Sequence, residues 1–354
     1  MSETQAKRIV VFGATGHLGQ QLIDKLDESG WPISELLGVA SAESAGTEFE
    51  FRGESLDVVS EWPILKGRDL VVVCTPAAEA LEIVREALRA EVPCIDCSGV
   101  LANQSEVPMP IPPSMSVAAS NGGASEAIAL GDALVEKAPL LSVPSGTTLA
   151  WAAILAAFDV SRVVGTALCS ASAQGRHGVV ALSEESIALF NQSESPNTGP
   201  AGQAVAFDVI PGGGIDCERV QQECRRLFGE SLRIGVTSVQ VPTFVGEGAS
   251  LALELATPLD ADGVETRLGE MDGVSLAQDG IGSRGLVAIE ADTPEPVGPT
   301  LRDAIGSDEI LVGRIEADAS LPAGEGWRLW IAFDPLRLVA DQALRLAGRR
   351  LGLE

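Results

Sequence analysis

The 354-residue chain contains no tyrosine, only four lysines and only two histidines. With only His17 and His177 available, a histidine-rich metal site is excluded. The 24 basic residues face 50 acidic ones, which gives a formal net charge of −26. A surface this acidic argues against nucleic acid or an anionic membrane as a partner. It indicates either high solubility or a salt-rich surrounding.

The sequence also lacks any apolar run close to the roughly 20 residues that a membrane helix needs. A buried strand, RIVVF at residues 8–12, begins almost at the N-terminus. We therefore expect no signal peptide and a cytoplasmic location. The six cysteines need not pair in a long cytosolic chain. Cys94 and Cys97 form a C-x-x-C, but no second pair stands at zinc spacing, so no metal site is predicted.

A glycine-rich segment, GATGHLG at residues 13–19, separates the first strand from an amphipathic segment at residues 20–30. Its three glycines would let the backbone approach a pyrophosphate, and the N-terminus of the following helix would hold that group. The alternative is a tight β–α turn that binds nothing. The pattern predicts a dinucleotide site formed by Gly13, Ala14, Thr15, Gly16, His17, Leu18 and Gly19.

The end of the second predicted strand, at residues 33–41, is where such a fold contacts the adenosine ribose. Ser41 and Ser44 could bind a ribose hydroxyl or a 2′-phosphate. Glu43 would repel a phosphate and accept a hydrogen bond from a free 2′-hydroxyl, which favours NAD over NADP. Thr75, at the end of the third predicted strand, is included in the predicted cofactor site.

Short strands and helices alternate through the first part of the chain and predict an α/β fold with a mostly parallel, doubly wound, Rossmann-like sheet. We assign residues 1–141 to this NAD(P)-binding domain, completed by a C-terminal helix at residues 334–354. Residues 142–333 are predicted to form a second, α+β domain with a mixed or antiparallel sheet, because TSVQVPTF and SLALELA alternate in polarity. A helix at residues 125–136 precedes the boundary.

The stretch LLSVPSGTTLAWAAILAAF, residues 140–158, predicts a strand end, a tight turn and an apolar helix. The N-terminus of such a helix carries free N–H groups and a partial positive charge, which together would stabilise a thiolate. The sequence has a serine, Ser145, at this turn. Its alternative role is that of a helix N-cap.

Five separated motifs resemble the aspartate-semialdehyde dehydrogenase family in their order and spacing: GATGHLGQQL, ASAESAG, AFDVIP, VGRIEADAS and WRLWIAFDPLR. ASAESAG and GRHGVVALSEESIALFN are most similar to the divergent Usg-type branch. The resemblance implies a Rossmann domain, a dimer-forming second domain and NADP as the cofactor. Members of the family reduce 4-aspartyl phosphate to the semialdehyde in amino-acid biosynthesis, using a cysteine thiolate and a histidine base.

The sequence departs from this family at its catalytic positions. The family's N-P-N-C-S-T turn falls on residues 142–147, where anchoring on Thr147 puts Ser145 at the nucleophile and anchoring on Pro144 puts Gly146 there. By the same resemblance three further positions differ. The family's glutamine falls on Cys169, its substrate arginine on Gln240 and its histidine base on Glu247.

The family's phosphate-binding arginine falls in GVLAN, residues 99–103, which has no arginine nearby, and a basic residue of the family falls on Glu43. Arg337 is retained, although Pro335 replaces a neighbouring asparagine. We therefore expect a homodimeric NAD(P)-binding protein impaired in the family reaction. One alternative is an aldehyde oxidoreductase that uses Ser145 or Cys169, with Glu247 as the base. Another is a non-catalytic regulatory subunit.

Overall fold

The computed structural model describes residues 6–44, 46–112, 132–193, 202–277 and 298–353. The chain contacts divide it into two compact units. The first unit takes the described residues up to 112, from 132 to 149 and from 336 onward, and the second takes those between 150 and 335. The described residues contain no helix long and apolar enough to cross a membrane.

The first unit is an α/β unit with a parallel sheet. Its elements are β1 (Lys7–Phe12), α1 (His17–Glu28), β2 (Ile33–Val39), β3 (Glu48–Phe51), β4 (Glu54–Asp57), β5 (Leu70–Val73), α2 (Ala77–Arg89), β6 (Cys94–Asp96), α3 (Asp132–Lys137) and β7 (Leu140–Ser142). Five strands form the sheet in the order β2-β1-β5-β6-β7, and all pair in parallel. Strands β3 and β4 form a separate antiparallel hairpin.

The sheet order explains why the strands of this unit are apolar along their whole length. Because β2 and β5 lie on opposite sides of β1, right-handed crossovers place helices on both faces of the sheet. Every residue of β5 is buried, as are the last four of β1. Successive strands are added on one side of β1 for β2 and on its other side from β5 onward. This switch creates a crevice at the carboxyl ends of β1 and β5, where ligands bind in such sheets.

The second unit contains a larger, mixed sheet. The remaining elements are α4 (Gly146–Ala156), β8 (Val160–Cys169), α5 (Gly175–Phe190), β9 (Ile210–Pro211), α6 (Cys217–Phe228), β10 (Arg233–Gln240), β11 (Glu247–Leu255), α7 (Ala261–Gly269), β12 (Val274–Leu276), β13 (Ile310–Ala317), β14 (Gly326–Phe333) and α8 (Pro335–Leu351). The seven strands run in the order β12-β13-β14-β11-β8-β10-β9. The boundary between the units falls within α4, and α8 from residue 336 belongs to the first unit.

Strand β8 lies near the middle of this sheet, and helix α4 packs closely against one face of it. It pairs in parallel with β10 and antiparallel with β11. Gly165 in β8 lies against the indole of the fully buried Trp151, and a Cβ at Gly165 would stand 2.5 Å from that ring. The absence of a side chain at this position lets α4 pack closely on the strand.

The predicted fold class is confirmed, with a parallel sheet in the first unit and a mixed sheet in the second. The alternating apolar residues of RVVGTALCSAS predict a strand at residues 162–172, and these bounds were wrong: β8 spans Val160–Cys169 and a short 3₁₀ helix occupies residues 171–174. The hairpin of β3 and β4 and the strands β12 and β13 were not predicted. Of the helix predicted at 125–136, residues 132–136 are described and belong to α3. The sequence also predicts a polar loop at residues 191–203, part of which lies outside the described residues.

Candidate functional site

The glycine segment forms a tight turn between β1 and α1. Gly13 has φ +82°, and a Cβ there would stand 2.7 Å from the carbonyl carbon and oxygen of Cys74. A Cβ at Gly19 would stand only 2.1 Å from the carbonyl oxygen of Gly13. Side chains at these two positions would therefore separate the turn from both β5 and α1. The glycines therefore allow close packing of backbone on backbone within the turn.

The N-terminus of α1 has no side-chain cap. Gly16 occupies the N-cap position and, as a glycine, has no side chain that could accept a hydrogen bond from the first N–H groups of the helix. His17 and Leu18 follow in the first turn and are half-buried. Backbone donors and a helix dipole at this place suit a pyrophosphate. The chemistry of the turn thus fits the diphosphate of a dinucleotide.

Two hydroxyl groups border the same crevice. The Oγ1 atom of Thr75, two residues after the end of β5, is buried and has no hydrogen-bond partner. The Oγ1 atom of Thr15 lies 3.1 Å from the Oγ atom of Ser44, which ties the glycine turn to the segment after β2. Ala14 is buried beneath the turn. An unsatisfied hydroxyl at this edge is a hydrogen-bonding group that a cofactor could satisfy.

The predicted ribose-reading residues lie just beyond β2. Ser41 is exposed, and Glu43 and Ser44 lie in a short 3₁₀ helix, with Glu43 exposed and Ser44 half-buried. No arginine or lysine occurs between residues 40 and 51. The charge of this short segment is therefore negative, which opposes a 2′-phosphate and suits a free ribose hydroxyl.

Ser145 is the N-cap of α4. Its Oγ atom accepts a hydrogen bond from the backbone N–H of Thr148 at 3.2 Å and lies 2.8 Å from the Oγ1 atom of Thr148. An acceptor at this position satisfies a backbone donor that the helix itself cannot satisfy. Gly146, the other residue that the resemblance aligns with the nucleophile, is the first residue of the helix. The structure therefore accounts for Ser145 through local hydrogen bonding.

The three other predicted catalytic positions meet at one edge of the seven-stranded sheet. Cys169 ends β8 and pairs directly with Gln240 at the end of β10. Glu247 begins β11, and its neighbour Gly248 pairs with Leu168. All three side chains are buried, with exposed fractions of 0%, 0% and 3%. The sheet thus brings Cys169, Gln240 and Glu247 to the same edge.

Gln240 is held by a second glutamine that the sequence did not reveal. The Nε2 atom of Gln174, at the end of the 3₁₀ helix, donates to the Oε1 atom of Gln240 at 2.7 Å. The Nε2 atom of Gln240 is buried and has no partner, and neither has the Oε1 atom of Gln174. An uncharged donor therefore stands where the family has an arginine.

The surroundings of Cys169 keep its thiol protonated. Burial raises the pKa of Cys169 well above its ordinary value, and the nearby carboxylate of Glu247 and the thiol of Cys217 raise it further. Gly214, with φ +98°, covers the side chain so closely that a Cβ there would stand 2.2 Å from the Cβ of Cys169. A protonated and covered sulfur is a poor nucleophile.

The run Gly212-Gly213-Gly214 is the sequence signal that could have revealed this covering segment. Gly212 and Gly214 have positive φ, and a Cβ at Gly213 would stand 3.0 Å from the Oε1 atom of Gln240. The conformation and the close approach both require glycine.

A cavity of about 750 Å³ in the second unit is lined by Ser250, Arg328 and Trp330, among others, and none of the predicted site residues lines it.

Arg337, the basic residue that the resemblance retains, lies in the first turn of α8. Burial and the carboxylates of Glu28 and Asp27 raise the pKa of Asp24 in α1 above its ordinary value, and the charge of Arg337 offsets part of this rise. Part of its charge thus acts within the first unit. Within the described ranges, no group of three or more histidine, cysteine, aspartate or glutamate side chains is placed to hold a metal ion.

These observations define a class of protein: a Rossmann-type nucleotide-binding unit combined with a mixed-sheet unit. The family model of the semialdehyde dehydrogenase NAD-binding domain matches residues 8–120, and that of the semialdehyde dehydrogenase dimerisation domain matches residues 152–338. The chain therefore belongs to the semialdehyde dehydrogenase family. The match to the first model also establishes a nicotinamide dinucleotide as the kind of cofactor.

Two curated relatives cover almost the whole chain. A USG-1 protein homolog from Pseudomonas aeruginosa is 30% identical, with 98% of each chain covered. An aspartate-semialdehyde dehydrogenase from Synechocystis is 27% identical, with 93% of each chain covered. The similarity to the first agrees with the branch that the sequence motifs indicated.

Solved structures show the same architecture. A probable aspartate-semialdehyde dehydrogenase from Pseudomonas aeruginosa matches at 30% identity and a TM-score of 0.78, covering 97% of this chain and 98% of that one. Aspartate semialdehyde dehydrogenase II from Vibrio cholerae matches at 24% identity and a TM-score of 0.82, with the same coverage. The second likeness shows the fold.

Proposed function

We propose that this chain binds a nicotinamide dinucleotide and forms a homodimer, and that it has lost the phosphate-dependent semialdehyde reaction of its family. The observation that carries this proposal is the contrast between an intact glycine turn and a changed set of side chains at Ser145, Cys169, Gln240 and Glu247. We assign dinucleotide binding to residues 1–141 together with 334–354, and dimerisation to residues 142–333.

The first support is the lack of a competent nucleophile. A serine hydroxyl is far less acidic than a thiol and needs an adjacent base. The Oγ atom of Ser145 instead interacts with the backbone N–H and the hydroxyl of Thr148. Cys169 has a raised pKa and lies beneath Gly214. Neither side chain therefore supplies the thiolate that the family chemistry requires.

The second support is charge. The family's substrate carries a carboxylate and a phosphate, which need cationic side chains to bind. The described edge of the second sheet presents the uncharged amide of Gln240 and the buried carboxyl of Glu247 instead. Because an amide and a carboxyl group supply no positive charge, this edge offers the anionic family substrate no cationic partner.

We propose NAD rather than NADP as the preferred cofactor because Glu43 stands exposed at the ribose-reading position. Titration of the purified protein with both dinucleotides, followed by calorimetry, tests this choice. NAD should bind more tightly than NADP, and Glu43→Arg should reverse the order. Tighter binding of NADP to the unaltered protein would contradict the assignment, and binding of neither would contradict dinucleotide binding as a whole.

The surface that a second copy would cover is the open face of the seven-stranded sheet. Strand register places Thr237, Thr166, Ser250 and Trp330 in one row across four strands. Thr237 and Ser250 are exposed, and Val164 next to this row is 37% exposed. A wide sheet face of this kind in a matched dimerisation domain supports a homodimer.

Light scattering during size-exclusion chromatography measures the molar mass of the protein and so tests the dimer. Twice the chain mass is expected, and Thr166→Arg in the centre of the open face should give the single chain mass. Because Thr166 is partly exposed, this variant should remain folded. A dimer that persists in Thr166→Arg would place the interface elsewhere. A monomeric unaltered protein would contradict dimerisation.

A genetic experiment tests the loss of the family reaction. Expression of this chain in a bacterial strain that lacks aspartate-semialdehyde dehydrogenase should not restore growth without the amino acids made from the semialdehyde. An active relative expressed from the same vector serves as the control. Growth supported by this chain, at matched protein levels, would contradict the proposal.

A further inference from the structure

Two cysteines that play no part in the proposed function lie side by side in the first unit. Cys74 follows the end of β5 and Cys97 follows the end of β6, two neighbouring parallel strands. The register pairs Val73 with Asp96, so the two cysteines are the next pair along the sheet. The backbone N–H of Cys97 donates to the carbonyl of Val73 at 3.0 Å, which holds this alignment beyond the strand ends.

The distance between neighbouring strands suits a disulfide. Adjacent strands lie about 4.8 Å apart, and residues joined by a disulfide have Cα atoms roughly 4.4–6.8 Å apart. The two side chains also leave the backbone toward the same face of the sheet, because residues that stand opposite each other on neighbouring strands share a face. All six cysteines are reduced in the structure. The geometry therefore needs little movement of the backbone to join the two sulfurs.

The two thiols differ in accessibility. Cys74 is half-buried, whereas Cys97 is 8% exposed. The neighbouring Cys74 thiol and burial raise the pKa of Cys97 well above its ordinary value, which disfavours Cys97 as the first sulfur to be oxidised. Cys74 is thus the sulfur that an oxidant reaches, and Cys97 is the sulfur placed to react with the oxidised product.

We propose that Cys74 and Cys97 form a reversible disulfide when the protein meets a hydroperoxide. The sulfur of Cys74 attacks one peroxide oxygen, which breaks the O–O bond and gives a sulfenic acid and water after proton transfer. The sulfur of Cys97 then attacks the sulfur of Cys74 and releases a second water. Two thiols and one hydrogen peroxide thus become one disulfide and two waters, and a dithiol reductant reverses the change.

The location links this pair to the glycine turn. The backbone N–H of Cys74 donates to the carbonyl of Phe12 at 2.8 Å, immediately before the turn. Gly13 lies against the carbonyl group of Cys74, so closely that a Cβ at Gly13 would stand 2.7 Å from it. Because the turn packs this tightly on Cys74, even the small movement that joins the two sulfurs would disturb it. Resting on the proposed function, we expect the oxidised protein to bind dinucleotide several-fold more weakly.

The experiment is peroxide treatment of the full chain, followed by alkylation under denaturing conditions and peptide mass spectrometry. The untreated protein should show all six cysteines alkylated, and the treated protein should lose the alkyl groups at Cys74 and Cys97 together. A cross-linked peptide pair lighter by two hydrogen atoms should appear and should vanish with dithiothreitol. This readout is independent of any enzymatic activity or cofactor.

Matched variants make the result specific. Cys97→Ser should abolish the cross-link and let Cys74 proceed to higher oxidation states, whereas Cys94→Ala and Cys224→Ala should leave the cross-link intact. Full alkylation of Cys74 and Cys97 after treatment, or irreversible oxidation of Cys74 without a cross-link in the unaltered protein, would overturn the proposal. Unchanged dinucleotide affinity in the cross-linked protein would overturn the link to the turn, whereas affinity lost equally in Cys97→Ser would assign the effect to Cys74 alone.

Discussion

The glycine turn of the first unit and the sheet edge of the second unit differ in what holds their shape. The turn is fixed by backbone, because Gly13 and Gly19 allow contacts that any side chain would prevent. The sheet edge places side chains, and the same positions of β8, β10 and β11 can present cysteine, glutamine and glutamate as readily as other residues. A scaffold built on backbone contacts can thus persist while the side chains of a site elsewhere in the chain change.

The largest effect is expected from a substitution in the glycine turn of the first unit. Gly19→Ala places a Cβ 2.1 Å from the carbonyl oxygen of Gly13, so the turn must open. We expect a loss of at least about 3 kcal/mol in the free energy of unfolding and no measurable dinucleotide binding. Chemical denaturation and calorimetry would measure both.

Gly269→Ala is the matched control for this change. A Cβ at Gly269 would meet only the Leu276 side chain, at 3.8 Å. This variant should stay within about 1 kcal/mol of the unaltered protein and should bind dinucleotide normally. If Gly19→Ala behaves like the control, the turn is not held by the contact described.

A smaller effect is expected at the sheet edge. Gln240→Leu leaves the Nε2 donor of Gln174 without its acceptor, which should cost about 1–2 kcal/mol of stability. The double variant Gln174→Leu with Gln240→Leu removes both partners and should cost less than the sum of the single changes. A double-mutant cycle by urea denaturation measures the coupling. Additive costs would mean that the two glutamines do not act as a pair.

Removal of the N-cap hydroxyl of α4 should change the free energy of unfolding by about as much as the Gln240→Leu change, through the loss of one local hydrogen bond. Ser145→Ala should lower the free energy of unfolding by about 1 kcal/mol, because the N–H of Thr148 loses its acceptor. Ser145→Asp keeps an acceptor at the N-cap and should be nearly neutral. Equal stability of Ser145→Ala and the unaltered protein would show that the capping bond contributes nothing, and would reopen a chemical role for the hydroxyl.

The smallest expected effect concerns the reactivity of Cys169. Because its pKa is raised in the folded state, the thiol should resist iodoacetamide at pH 7 and still at pH 9, where a free cysteine is largely ionised. Because folding favours the protonated thiol, the free energy of unfolding falls as pH rises above about 8.5, the pKa of an unfolded cysteine. Rapid labelling of Cys169 at pH 7 would contradict the described environment.

The sequence predicted the fold class because the period of apolar residues and the glycine turn are local signals. The pairing of Cys169 with Gln240 was not predicted, because the two positions are 71 apart in sequence and only the sheet brings them together. The contact between Gln174 and Gln240 had no sequence signal, because it depends on the path of a short 3₁₀ helix after β8.

The hairpin of β3 and β4 escaped prediction for a physical reason as well. Its strands are four residues each and contain Glu48, Glu50 and Glu54, and mostly exposed strands give no strong apolar pattern. The turn between them places Arg52 and Gly53 at positive φ. Burial, rather than propensity alone, is what makes a strand visible in a sequence.

The most direct test of the contrast between the two regions is cofactor reduction by the purified protein with aspartate semialdehyde, phosphate and either NAD or NADP. Folded protein that binds dinucleotide in a parallel titration should show no enzyme-dependent turnover. Phosphate-dependent turnover would contradict this expectation, and loss of that turnover in Ser145→Ala or in Cys169→Ser would then identify the nucleophile.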